Sequence, residues 1–189
     1  MTHYPLYVLR HGETVWNAEN RMQGALNSPL TEKGIMQATR QLEILRARDL
    51  SGFSFFSSPQ GRAFQTAAIA LAGLADTIHT DARLREIGVG GWSGRLRDEL
   101  PMPKGPNPLL AQYEMAPNGE GFAAVKARCR AFLDDLDGPA VIVTHGITGG
   151  ILRALTIGEK AHRGTSPHGG QGCVYYLADG EQVVLGAEA

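Results

Sequence analysis

The sequence predicts an α/β fold, and two observations carry the prediction. Short apolar runs alternate along the chain with segments whose apolar residues recur at spacings of three and four, the pattern of strands joined by helices. The composition agrees, because 43% hydrophobic and 20% charged residues over 189 positions suit a folded globular chain rather than a disordered one. At this length roughly 70% of the unfolded surface can be buried, so a core holds the fold without disulfide staples. One domain over residues 1–189 is expected.

Each element has its own signal. Residues 6–9 read as a buried strand that ends at Arg10 and His11. Thr31 reads as a helix cap, since Ile35, Ala38, Leu42 and Leu45 behind it share one helical face. Residues 53–56 read as a second strand, Ser58 as the cap of the next helix and Pro59 as its first position, which puts Arg62 in the first turn. A short third strand is expected around Ile78. Val125, Cys129, Phe132, Leu133 and Leu136 mark another apolar helix face, and residues 140–143 read as a strand ending at Thr144 and His145. Residues 147–157 read as a helix, weakened by Gly149 and Gly150. Residues 174–177 and 183–185, joined by Asp179 and Gly180, read as a terminal hairpin.

Two segments break the rhythm. Residues 95–118 hold Pro101, Pro103, Pro106, Pro108 and Pro117, half of the 10 prolines, and are long for a connection, so they read as a lid or substrate loop. Residues 158–172 carry Lys160, His162, Arg163 and His168 among five glycines. Charge runs are usually solvated loops; the alternative is a basic flap suited to a second anionic group on a ligand.

Composition excludes several classes. A formal net charge of −1 gives no global attraction for nucleic acid or for a membrane surface, so neither is an expected partner, and any affinity for anions must come from a local cluster. No run approaches the ~18 consecutive apolar residues of a membrane span. Residues 1–10 lack the basic-then-apolar pattern of a secretory signal. Cys129 and Cys173 form neither a metal-ligand spacing nor a disulfide framework, and Cys129 sits on an apolar helix face as a core residue would. A reduced, cytoplasmic setting is the expectation.

Read together, the strand ends form a constellation. In an open parallel sheet the carboxyl ends of the strands share one edge, where such folds bind ligands. Arg10, His11, Arg62 and His145 all follow predicted strands, so two guanidiniums and two imidazoles are expected to meet in one crevice. A phosphoryl group in transfer spreads negative charge over three oxygens, and guanidiniums match it with paired hydrogen bonds. Arg10 and Arg62 are the expected clamp. His11 is the expected nucleophile, kept neutral by the nearby cations, and His145 the donor to a phosphoryl oxygen. Glu86, in the glycine-rich run of residues 84–92, is placed to protonate a leaving alkoxide and then to activate water.

Singly, each residue has an ordinary structural reading: a satisfied histidine after a strand, a helix-face cation, a solvated carboxylate, and Trp92 as packing. Their joint order along the chain selects the chemical reading. A metal site built from His11, His145 and Glu86 is disfavoured, because two adjacent guanidiniums repel a divalent cation.

The run Leu9, Arg10, His11, Gly12, Glu13, Thr14, with Asn17, Arg21, Gln23 and Gly24 and then Pro29, Leu30, Thr31 and Gly34, closely resembles the opening signature of the histidine phosphatase superfamily in its phosphoglycerate-mutase-like branch. Ser57, Ser58, Pro59, Arg62, Ala63, Gln65, Thr66 and Ala67 resemble its second motif. Glu86 with Gly90 and Trp92 is similar to its acid motif, and Thr144, His145 and Gly146 to its second histidine motif. The resemblance implies a three-layer α/β/α sandwich with a mostly parallel central sheet and helices on both faces. It also implies a phosphohistidine mechanism at His11, a phosphate pocket of Arg10, Asn17, Arg62 and His145, Glu86 as proton donor, and no metal or other cofactor. Gln23, Gly24 and Gly146 belong to the same motifs and are expected at the substrate site.

Three departures stand out: Asn27 where the family usually has aspartate, Ser93 where the acid motif usually has glutamate, and Gly121 where serine usually follows Glu120. A mutase must return its phosphoryl group to an alcohol before water takes it, which demands a closed site. The family's mutases carry longer insertions after the acid motif, whereas residues 95–118 are compact, so hydrolysis is expected. The expected activity is therefore hydrolysis of a small soluble phosphomonoester through phosphohistidine. A phosphoglycerate mutase and a non-catalytic module that binds a phosphorylated ligand are the alternatives.

Overall fold

A computed structural model of the chain describes residues 4–158 and 170–186. Six strands form one sheet: β1 (Leu6–Arg10), β2 (Ser54–Ser57), β3 (His79–Thr80), β4 (Ala140–Thr144), β5 (Val174–Ala178) and β6 (Glu181–Leu185). Their order is β3-β2-β4-β1-β5-β6, with the first four parallel, β5 antiparallel to β1, and β6 antiparallel to β5. The helices are α1 (Val15–Ala18), α2 (Glu32–Arg46), α3 (Gly61–Ala70), α4 (Pro108–Glu114), α5 (Gly121–Asp134) and α6 (Gly146–Ile157). No helix among the described residues is long and apolar enough to cross a membrane.

Side-chain alternation along the central strands builds the layers. Leu6 and Val8 of β1 join Ala140 and Ile142 of β4 against Val125, Phe132 and Leu152 of α5 and α6. Tyr7 and Leu9 join Val141 and Val143 against Leu45 of α2 and Ala67 and Ala70 of α3. Because successive strand residues point to opposite faces, strands that are apolar throughout must be covered on both sides, and the result is the α/β/α sandwich. The terminal hairpin turns at Asp179 and Gly180, both at positive φ, as a tight two-residue turn of matching twist requires.

The helix expected to open at Pro59 opens instead at Gly61, with Gln60 extended at the cap position and no side-chain cap of its own. Ser58 does not cap it, because its hydroxyl is engaged by His145. The free N–H of Arg62 is taken by Asn27 Oδ1 at 2.9 Å, so the departure at Asn27 still supplies a cap from another loop. At the start of α5, where Gly121 replaces serine, the N–H of Phe122 donates to Glu114 Oε2 of α4 at 2.8 Å. Residues 95–118 are more than surface loop: they include α4 and a single turn at Arg97–Glu99, and Leu100 and Ala116 enter the core. The basic stretch with Lys160, His162, Arg163 and His168 lies outside the described residues.

One close approach fixes the loop after β1. A Cβ on Gly34 in α2 would stand 2.1 Å from the carbonyl oxygen of Glu13, and one on Gly12 would stand 2.2 Å from that of Gly34. Backbone therefore meets backbone where β1 delivers His11. Gly150, midway along α6, has open space at its Cβ position. Helix propensity alone favours alanine over glycine by about 0.5–1 kcal/mol at either site. Gly150→Ala is expected to raise the thermal midpoint by a few degrees, while Gly34→Ala loses about 1–3 kcal/mol to overpacking despite the same propensity gain. Paired thermal melts check this; equal shifts for the two variants would remove the close-packing explanation.

Candidate active site

The carboxyl ends of β1, β4 and β2 deliver the site. β1 and β4 pair in parallel with Arg10 opposite Thr144, and the N–H of His11 donates to the Thr144 carbonyl at 3.0 Å. The next residue on each strand is a histidine, and the two rings stand edge to face with centroids 5.1 Å apart. That separation is close to the spacing of adjacent strands, so the register alone brings the imidazoles together. On the other side of β4, β2 ends opposite Val143, and the N–H of Ser58 donates to the Val143 carbonyl at 2.9 Å.

His11 is 3% exposed, and its Nδ1 lies 2.7 Å from the carbonyl oxygen of Gly12. A carbonyl only accepts, so Nδ1 carries the ring proton and Nε2 keeps its lone pair. The loop is braced from α3, since Thr66 Oγ1 accepts from the N–H of Gly12 at 3.0 Å and donates to the Arg62 carbonyl at 2.8 Å. Burial holds the His11 ring well below the ordinary imidazole value of 6.5, and Arg62 and then Arg10 add to the shift. His145, 1% exposed, is lowered in the same direction by burial first, then by Arg62, His11 and Arg10. Both rings are therefore neutral at neutral pH.

Arg62 is 1% exposed in the first turn of α3. Its Nη1 donates to the Leu26 carbonyl at 2.7 Å and its Nη2 to the Gly24 carbonyl at 3.0 Å, while Nε is buried with no hydrogen-bond partner among the described residues. Burial lowers its pKa to about 10, with Glu86 opposing the shift, so it stays protonated at neutral pH. Gln60 ties three loops to it: Nε2 donates to the Gly24 carbonyl at 2.9 Å, and Oε1 accepts from the N–H of Glu86 at 2.8 Å and, at 3.5 Å, from Arg62 Nη2.

Glu86 sits at the head of α6. Its Oε2 accepts from the N–H of Ile147 at 3.2 Å, and its Oε1 accepts from the N–H and the hydroxyl of Thr148 at 3.1 and 3.2 Å. A carboxylate belongs there, because the first helical N–H groups are unpaired and the helix dipole is positive at that end. A methyl group at Gly146 would stand 3.4 Å from Cζ of Arg10 and 3.7 Å from Oε2 of Glu86. Gly146 thus admits both the guanidinium and the carboxylate beside the second histidine.

The structure therefore brings Arg10, His11, Arg62, Glu86, His145 and Gly146 to one place. Asn17 closes a reciprocal cap with Thr14 and accepts from Gln171 Nε2 at 3.2 Å through its Oδ1, which leaves its amide nitrogen for a ligand. Gln23 supports the site from behind, donating to Thr14 Oγ1 at 2.8 Å, and Gly24 contributes its carbonyl to Arg62. Among the described residues no three His, Cys, Asp or Glu side chains are gathered as metal ligands.

Gln60, Gln171 and Tyr113 are absent from the residues the sequence marks, and Thr66 stands there only as a motif residue without a role. The Tyr113 hydroxyl on α4 accepts from Arg97 Nη2, with the Arg97 guanidinium 4.8 Å from the ring centroid, and it feels the charges of Arg62, Glu86 and Arg10. No local signal marks it, since a tyrosine in a proline-rich segment is unremarkable until the tertiary structure brings it among the charges of the site.

The buried histidines make stability depend on pH. In the unfolded chain each binds a proton near 6.5, while in the folded chain each resists protonation well below that value. The unfolded state therefore holds more protons in this window, and stability is lost as pH falls below about 6.5, by up to about 1.4 kcal/mol per pH unit per ring. Thermal midpoints at pH 7 and pH 5 should show the loss, and the double variant His11→Gln/His145→Gln should show a shallower one. An equal slope in the two proteins would mean the rings are not the source.

Comparison with known proteins agrees with this geometry. A family model for the histidine phosphatase superfamily (branch 1) matches residues 6–183. A Yersinia pestis protein named "Probable phosphoglycerate mutase GpmB" is 38% identical over 170 residues, covering 83% of this chain and 76% of that protein. The solved structure of Bacillus stearothermophilus YhfR is similar with a TM-score of 0.74 and 33% identity, over 98% of this chain and 97% of that one. The mycobacterial glucosyl-3-phosphoglycerate phosphatase Rv2419c, in complex with VO3, is similar with a TM-score of 0.76 and 28% identity, over 96% of each chain. With its two imidazoles paired at the sheet edge and a family match running nearly from end to end, the chain belongs to the histidine phosphatase superfamily.

Proposed function

We propose that the protein hydrolyses a small phosphomonoester through a phosphohistidine on His11. The observation that carries the reading is the state of that ring, which is buried, neutral and committed through Nδ1 to the Gly12 carbonyl, so Nε2 alone is available to attack. Glu86 takes up a proton as the phosphoryl dianion binds beside it; in the first half-reaction Nε2 bonds to phosphorus as the ester P–O bond breaks, and Glu86 gives that proton to the departing alkoxide. In the second, water gives a proton to Glu86 and attacks phosphorus, the P–N bond breaks, and inorganic phosphate leaves a neutral His11. Arg10, Arg62, Asn17 and His145 hold the phosphoryl oxygens throughout, and the two guanidinium charges with the N–H dipoles of Asn17 and His145 match the charge spread of the transferring group. Gln23, Gly24 and Gly146 shape the floor, and residues 95–118 form the cover under which the alcohol portion lies.

No step calls for a metal or other cofactor, and activity is expected to survive a chelator. The relative named as a phosphoglycerate mutase keeps transfer to a second alcohol as the competing reading. Incubation with labelled phosphoester should trap an acid-labile, base-stable phosphoenzyme that is absent in His11→Ala, whose turnover falls by at least about 10^3-fold. Interconversion of phosphoglycerates with negligible release of inorganic phosphate would instead establish a mutase.

The role of Glu86 has a separate signature. Glu86→Gln should slow hydrolysis of alkyl phosphates by about 10^2–10^4-fold, and slow the first half-reaction of an aryl phosphate far less, because its leaving group needs no proton. Equal losses on both substrates, measured as the rate of phosphoenzyme formation, would remove Glu86 as the acid.

A further inference from the structure

His145 holds a hydrogen-bond arrangement that the reaction scheme leaves unexplained. Its Nε2 lies 2.7 Å from Ser58 Oγ, while its Nδ1 is buried with no partner among the described residues. Ser58 is fully buried, and its Oγ also accepts from the N–H of Gln60 at 3.3 Å. With that bond accepted, the hydroxyl has one proton to place, and His145 Nε2 is the only acceptor within reach among the described residues. If Nε2 carried the ring proton, it would donate to Ser58, and the serine proton would be left buried and unpaired. That alternative leaves two buried groups unpartnered, the serine proton and the Nδ1 lone pair, whereas the chain Gln60 N–H to Ser58 Oγ–H to His145 Nε2 leaves only Nδ1 without a partner among the described residues. A neutral imidazole with an accepting Nε2 carries its proton on Nδ1.

We infer that Ser58 is a positioning residue that sets the tautomer of His145, holding Nδ1–H as a preformed donor for a phosphoryl oxygen. The two imidazoles then present opposite faces of the same chemistry. His11 turns its Nδ1–H inward to Gly12 and offers a lone pair from Nε2. His145 turns its lone pair inward to Ser58 and offers a proton from Nδ1. A phosphoryl group on His11 supplies the acceptor that Nδ1 lacks, and it arrives as negative charge grows on its oxygens. A donor aligned beforehand needs no reorganisation when that charge appears. The same chain accounts for the fully buried serine just after β2, whose hydroxyl caps no N–H within α3 itself. The role of the donor rests on the phosphatase reading; the tautomer itself does not.

The experiment uses the full chain labelled with ¹⁵N-histidine and long-range proton–nitrogen correlation spectra at neutral pH, with the His145 signals identified by their loss in His145→Gln. The expected result is a protonated Nδ1 and an unprotonated Nε2 on His145 in the unmodified protein, which needs neither substrate nor turnover. Adding inorganic phosphate should shift the His145 Nδ1–H signal downfield. In Ser58→Ala the proton should move wholly or partly to Nε2, and kcat should fall about 10–100-fold with a much smaller change in KM. Ser58→Thr, which keeps the hydroxyl, should retain the original tautomer. A proton on Nε2 in the unmodified protein overturns the inference even if Ser58→Ala does not fold. An unchanged tautomer and unchanged kcat in folded Ser58→Ala overturn it as well. The expected tautomer in a protein without phosphatase activity would leave the hydrogen-bond chain standing and sink the activity instead.

Discussion

The parallel pairing of β1 with β4, in the register that sets Arg10 opposite Thr144, is the constraint from which the rest of the site follows. One residue beyond that pair, each strand releases a histidine, and the strand spacing holds the rings in contact. A slip of one residue would turn His11 or His145 onto the wrong face of the sheet. The slip is prevented by the core, because both strands are apolar throughout and both faces are already packed by helices. The hydrophobic layers therefore do more than stabilise the sandwich: they set the distance between the two imidazoles.

Around this pair the fold gathers positive charge where it is expensive to bury. Arg62 is held by carbonyl oxygens of the loop after α1 rather than by a carboxylate salt bridge. Its charge is solvated by fixed dipoles, with no carboxylate in direct contact among the described residues. Burial first, and then the same charges, keep both histidines neutral, so the clamp and the nucleophile reinforce each other. Glu86 is oriented by the N–H groups at the head of α6, and its charge offsets part of the cost of burying Arg62. The elements that carry this charge are braced by Gln60, Thr66 and Asn27, whose hydrogen bonds tie the loops after β1 and β2 and the Glu86 segment together.

Much of this was legible in sequence, and the reasons differ by element. The strands at β1 and β4 were readable because doubly covered strands are continuous apolar runs, and α2 because its cap and its periodicity agree. The start of α3 was misread because Ser58 and Pro59 satisfy every local rule for a helix opening, while the hydroxyl is claimed by a histidine 87 positions away. Segment 95–118 was readable as unusual but not as structured, since proline spacing conceals a helix that begins with Pro108 at its first position. His11, Arg10, Arg62, Glu86 and His145 were readable only as a set, from their order at successive strand ends.

What the sequence determined by itself is the inventory: an α/β chain, two histidines and two arginines at strand ends, an acid in a glycine-rich run, and the motifs of one superfamily. What only the tertiary structure decided is state and support. Which nitrogen of His11 faces Gly12, which side chain meets His145, what caps α3 and α5, and which residues of 95–118 enter the core all depend on the folded chain. Hydrogen-bond partners and burial are properties of three-dimensional neighbourhoods, and a linear pattern records only which groups are available to enter them.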